Sequence, residues 1–175
     1  MERIILLILC TVLTINGFSQ TKEKVLQKTF VFDEKNEDNY LSVSNINGSI
    51  VISQHHKPTI EVTLKIKISG NSQSIINEGL KEIDLGVVEK GHTIYLYMDN
   101  PCSNINPSMM TEEQIRRGPF SGWKNDCKWR PKYDYLLDYE IKVPAYINLQ
   151  ATTVNDGDIR IEGVEGAMVV STIFN

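Results

Sequence analysis

The chain has 175 residues, 41% of them hydrophobic, with 22 acidic and 18 basic side chains and a formal net charge of −4. That length suits one domain, or one domain with an insertion, and supplies ample apolar material for a core. Acids and bases are well mixed along it, so no cationic stripe for nucleic acid arises.

Residues 1–19 have a composition of their own: Glu2 and Arg3, an apolar run from Ile4 to Ile15, then Asn16, Gly17, Phe18 and Ser19. Gly17 and Ser19 place small residues where a signal peptidase reads them, which predicts an exported chain with Gln20 at its mature N-terminus. The alternative is a transmembrane anchor. The apolar run would rise only about 18 Å as a helix, short of a hydrocarbon core of about 30 Å. Leu9 before Cys10 argues against lipidation, and no later segment is long and apolar enough to span a membrane.

The mature chain reads as all-β, mainly strand with one short helix. Residues 20–98 form an N-terminal β region. Leu26 to Asp33 and Tyr40 to Ser53 cluster β-branched and aromatic residues as strands do. In Thr59 to Ile68 the residues Ile60, Val62, Leu64, Ile66 and Ile68 alternate with Glu61, Thr63, Lys65 and Lys67, the pattern of a sheet with one wet face. His55 and His56 precede this strand. On an extended chain they would point to opposite faces, so they read as a loop and not as a chelating pair. Ile76, Leu80 and Ile83 recur at helical spacing behind Asn71 and Ser72, either of which can cap a helix over about 72–81, with Gly79 weakening it. Ile83 to Glu89 and Thr93 to Met98 flank Lys90-Gly91-His92 as a hairpin.

Residues 99–132 lose this periodicity and read as an irregular insertion, with one or two helical turns near Thr111 to Arg117. Export would carry Cys102 and Cys127 to a compartment where disulfides persist, and they are expected to pair. Closing that loop is worth about 3–4 kcal/mol in the chain-entropy model. Free surface thiols are the alternative. A metal site lacks further ligands at suitable spacing. Trp123 and Trp129 stand among Arg116, Arg117, Lys128 and Arg130. Aromatics interleaved with cations suit recognition of a surface glycan or an envelope protein; the alternative is tryptophans packed as a small core beneath solvated cations.

Residues 133–175 read as the start of β-solenoid repeats. Leu149 to Asn155 superposes on Val169 to Asn175 at an offset of 20 residues, and Leu41 to Ile52 resembles Leu149 to Ile161 in its apolar, turn, apolar layout. Asn47, Gly48, Asn155, Asp156 and Gly157 are expected at corners, since Asn and Gly tolerate the left-handed backbone of a sharp bend. A hairpin turn suits Asn-Gly and Asp-Gly equally. Because the sequence stops at Asn175 in the register where the earlier copy continues, the repeats are expected to be truncated, or else covered there by a partner.

The stretch Asp138-Tyr139-Glu140-Ile141-Lys142-Val143-Pro144, followed by Leu149 to Ile161 and Gly163-Val164-Glu165-Gly166, together with Asn45 to Ile52, resembles the putative adhesin family of bacterial exported, toast-rack-like β-solenoid domains. The resemblance covers most of the mature chain; the 99–132 insertion departs from it. It implies a periplasmic, surface-displayed or secreted structural or binding domain, without enzymatic activity or cofactor and without assigned functional residues. Two other readings compete. Asp156 and Asp158 could serve a carbohydrate-active β-helix enzyme, or hold calcium, against the plainer role of turn residues on a solvated face. An open coil edge could drive self-association of an envelope accessory protein.

Overall fold

The computed structural model describes residues 20–32, 36–116, 127–155 and 157–173. Residues 1–19, expected to be a signal peptide, and Asp156, Asn175 and the tract 117–126, with Arg117 and Trp123, lie outside the described residues. The molecule is mainly β. Its elements are β1 (Gln20–Val31), β2 (Tyr40–Asn45), β3 (Ile50–His55), β4 (Thr59–Gly70), α1 (Gln73–Glu82), β5 (Asp84–Lys90) and β6 (Thr93–Asp99), then α2 (Glu112–Arg116), β7 (Asp134–Pro144), β8 (Asn148–Val154), β9 (Ile159–Glu162) and β10 (Met168–Ile173).

The expected alternation in β4 holds. Ile60, Val62, Leu64, Ile66 and Ile68 are all buried and the residues between them are half-exposed; each buried side chain of this size contributes about 1.5–3 kcal/mol. β4 pairs antiparallel with β1 on one side and β7 on the other. β1 is an edge strand, and its core side carries Lys22, Lys24 and Lys28 opposite Ile68, Ile66 and Val62. Inward-pointing lysines discourage another chain from adding there; Lys24 is paired with Asp84 at 3.1 Å. The helix is capped by Ser72, whose hydroxyl accepts from Ile75 N. Gly79 has a packing reason, since a Cβ there would stand 2.7 Å from Ile68 and 2.9 Å from Tyr133.

Two mixed, open sheets result, in the orders β1-β4-β7-β3-β9 and β10-β8-β2-β6-β5. The stretch expected as one strand over 40–53 is two, because the chain leaves the second sheet after Asn45 and enters the first at Ile50. The same passage recurs from β6 to β7 and from β8 to β9, so β2 lies parallel between β6 and β8, and β3 parallel between β7 and β9. Leu41 and Val43 from one sheet and Ile52, Leu64 and Tyr139 from the other join a single buried cluster.

Parallel pairing excludes the hairpin alternative at both turns, since a two-residue turn joins antiparallel neighbours. Asn47-Gly48 and Asn155 stand at corners between sheets. Gly48 has φ +115° and Asn155 φ 62°. Asn155 Nδ2 donates to Asn47 Oδ1 at 2.6 Å, Asn45 Nδ2 to the Leu137 carbonyl at 2.7 Å, and Leu137 N to the Asn47 carbonyl at 2.8 Å. At the opposite edge Asn148 donates to the Glu37 carbonyl at 2.6 Å and accepts from Ala167 N at 3.0 Å. Asparagine amides therefore tie successive passes together at both edges.

The superposition of 41–52 on 149–161 matches the ladders, which pair Leu41 with Leu149, Ile50 with Ile159 and Ile52 with Ile161. The offset of 20 at the C-terminal end does not. β10 sets Met168 against Leu149 and Ile173 against Val154, one residue short of the sequence superposition. A slip of one reverses every side chain, so Met168, Val170 and Thr172 stand on the core side. The short link between β9 and β10 decides the register: a Cβ on Gly166 would lie 2.0 Å from the Ile147 carbonyl, which leaves no slack there.

Candidate functional site

The insertion follows β6 and folds back over the outer face of the second sheet. Asn100 Oδ1 accepts from Cys102 N at 2.8 Å, and a 3₁₀ turn at Pro107–Met109 leads to α2. A reciprocal cap starts this helix: Thr111 Oγ1 accepts from Gln114 N at 3.2 Å, and Gln114 Oε1 from Thr111 N at 2.8 Å. The cap drives Ile115 into a small second cluster with Val88 and Tyr95, separate from the main core.

One clasp holds α2 to the sheet. Glu112 Oε1 accepts from Thr93 Oγ1 at 2.8 Å, Arg116 Nη2 at 2.8 Å and His92 N at 3.2 Å. Arg116 also donates to Thr93 Oγ1 and to the Asp38 carbonyl, both at 3.0 Å, and lies 5.1 Å over the Tyr40 ring. Lys90 Nζ donates to the Met110 carbonyl. Partial desolvation pushes the Glu112 carboxyl up, but the hydrogen bonds from Thr93, Arg116 and His92 and the Arg116 charge outweigh it and hold it below the ordinary carboxylate value. Asp138, on the outer face of the first sheet, follows the same balance. Desolvation raises it, while Ser49 N and Oγ and Lys67 bring it down to a net lowered value.

A carboxylate with a depressed folded value stabilises the fold above its unfolded value and loses that contribution as the pH falls through the folded one. Acid below the ordinary carboxylate range, about pH 4, is therefore expected to release α2 before the sheets open. Hydrogen exchange across 105–116 at falling pH checks this: the acid-dependent step should be present in the native chain and absent in Glu112→Gln.

Cys102 near the start of the insertion and Cys127 near its end form the expected disulfide, with Cα atoms 5.5 Å apart. Trp129 Nε1 donates to Glu82 Oε2 at 3.0 Å, its ring lies 5.8 Å from that of Tyr135, and Tyr133 OH donates to the same Glu82 oxygen at 2.7 Å. Burial, and then the Glu82 contact, push the Tyr133 hydroxyl above its ordinary value.

The residues expected to form one binding surface thus divide. Arg116 and Trp129 fasten the insertion to the body, and Lys128 and Arg130 are exposed beside the disulfide. Asp158 is exposed, and its carbonyl accepts from Ile50 N at 2.8 Å as part of the corner. Glu162 is engaged by Arg160 at 2.5 Å. Among the described residues no three His, Cys, Asp or Glu side chains gather where a metal ion could sit, and no helix is long and apolar enough to cross a membrane.

A second feature escaped the sequence. Gln54, His55 and His56 border a cavity of ≈ 330 Å³ with Phe32, Tyr146 and Ile147. The loop expected at the two histidines is there in part: β3 ends at His55, and His56 belongs to the bend beyond it. A break in extended backbone just there leaves no sequence mark except Pro58.

No protein-family model matches the sequence, and no curated protein matches it. Comparison with solved structures finds the crystal structure of a putative cell adhesion protein from Clostridium sporogenes ATCC 15579, 13% identical, with a TM-score of 0.37 over 86% of this chain and 59% of that one. The chain thus spans less than two thirds of that protein's length.

Proposed function

We propose that this chain is an exported, non-enzymatic module of the adhesin-like type, in which β-solenoid coils present a disulfide-tied insertion at the cell envelope. The observation that carries the reading is the fastening of the insertion. A disulfide, the Glu112 clasp and the Glu82 hydrogen bonds anchor it at both ends, while Lys128 and Arg130 stay exposed. A loop held this way meets a partner with little ordering cost, and a disulfide persists where exported proteins reside. Binding of the purified protein to intact cells or envelope fractions tests the reading. Replacing both Lys128 and Arg130 with Glu should reduce retention at least about tenfold; undiminished retention would remove the insertion as the contact surface.

Self-association is a second reading, favoured by β10. Unlike β1 it carries no charge, and it exposes Met168, Val169 and Val170 at 47%, 56% and 52% on the edge of its sheet. Sedimentation should show concentration-dependent oligomers that Val169→Lys abolishes; a monomer throughout sinks this reading.

A further inference from the structure

The cavity at the 54–58 bend has no part in the function proposed above, and its chemistry is specific. Its apolar lining comes from half-buried Phe32, buried Ile147, Pro58 and Pro144, and its polar side chains are Asn39, Lys57, the Gln54 amide and the two imidazoles, with Tyr146 beside them. The Gln54 amide and the two imidazoles are each oriented by a neighbour. His55 Nε2 donates to the Thr59 carbonyl at 2.6 Å, and the Gln54 amide donates to His56 Nδ1 at 3.4 Å.

Tyr146 stands at the rim with 59% of its surface exposed. Its hydroxyl is hydrogen-bonded to Glu165, a contact that raises the hydroxyl's pKa, and Glu165 N donates to the Ala145 carbonyl at 2.8 Å. An exposed aromatic ring tethered at its far end is a fixed platform. Charge at the rim is compensated: Lys57, the one permanent charge among the described lining residues, is paired with Glu61 at 2.7 Å.

From these observations we infer that the cavity is a binding site for one end of an uncharged saccharide. The apolar face of a pyranose ring stacks on Tyr146, and its hydroxyls exchange hydrogen bonds with Gln54 and His56. Fixed aromatic faces beside a few convergent polar groups are the makeup of such sites. The volume lies near the lower bound for ligand pockets, about 300 Å³, which accommodates one or two rings and not an extended peptide. An anionic sugar would find Lys57 already occupied by Glu61 and the Glu165 carboxylate beside Tyr146.

The inference does not rest on the insertion or on display at a cell, and purified protein tests it alone. Saturation-transfer NMR with maltose, cellobiose and N,N′-diacetylchitobiose, and with digalacturonate as the charged comparator, should show binding of at least one neutral disaccharide. Tyr146→Ala and Gln54→Ala should each weaken it at least about tenfold. Tyr146→Phe, which keeps the ring but drops the Glu165 bond, should weaken it less. Replacement of Lys128 and Arg130 should leave it unchanged. The inference is overturned if none of the three neutral disaccharides binds, if Tyr146→Ala binds as the native chain does with its thermal midpoint preserved, or if digalacturonate is preferred.

Discussion

Alanine in place of Gly48 is expected to cost the fold about 4 kcal/mol, well beyond the ~1 kcal/mol of an average substitution. Two causes add. The backbone at Gly48 has φ +115°, a region L side chains rarely adopt, and a Cβ built there would lie 2.2 Å from the Leu137 carbonyl oxygen. That oxygen cannot retreat, because Asn45 Nδ2 donates to it and Leu137 N donates in turn to Asn47. Gly91→Ala is the informative comparison. There φ is +56° and the nearest atom is a side-chain oxygen, Glu112 Oε2, and not backbone, so a cost of about 1–2 kcal/mol is expected. Urea unfolding of both variants at unchanged m-value checks the order. Equal losses would mean that the corner is not held by β7.

The second large effect is local. Replacing Cys102 and Cys127 with serine removes a cross-link spanning 25 residues, and the opening free energy of the insertion should fall by about 3–4 kcal/mol. Because Ile115, Val88 and Tyr95 form a cluster apart from the main core, amides in β4 and β7 should lose less than about 1 kcal/mol of protection. Hydrogen exchange distinguishes the two regions. A uniform loss across all amides would show the insertion and the sheets opening as one unit.

The sequence made some of this legible because local pattern and burial agree. The five isoleucine, valine and leucine positions of β4, the Ser72 cap and the Gly91 hairpin each depend on residues a few positions apart. Corner or hairpin at Asn47-Gly48 was not decidable, because both bends demand the same backbone, and only long-range pairing with β7 and β8 distinguishes them. The β10 register failed for a related reason: the similarity of 149–155 to 169–175 is real in composition, but packing of the link against Ile147 sets the pairing one residue away. Arg116 and Trp129 were readable as aromatic and cationic surface, yet their partners Asp38, Glu82 and Thr93 lie far off in sequence. The His55 cavity, built from segments near residues 32, 55 and 146, had no local pattern to announce it.

The insertion also takes the place of a corner. From Val43 the chain reaches Ile50 in the neighbouring sheet through one short bend, whereas from Leu96, beside Val43, it reaches Tyr139, beside Ile50, only after the whole disulfide-tied excursion. Both routes begin and end at the same rungs of the same ladders. The scaffold therefore offers a socket between β6 and β7 where segments of very different length can be spliced without re-registering a strand, and a foreign loop grafted there would inherit a ready-made mount.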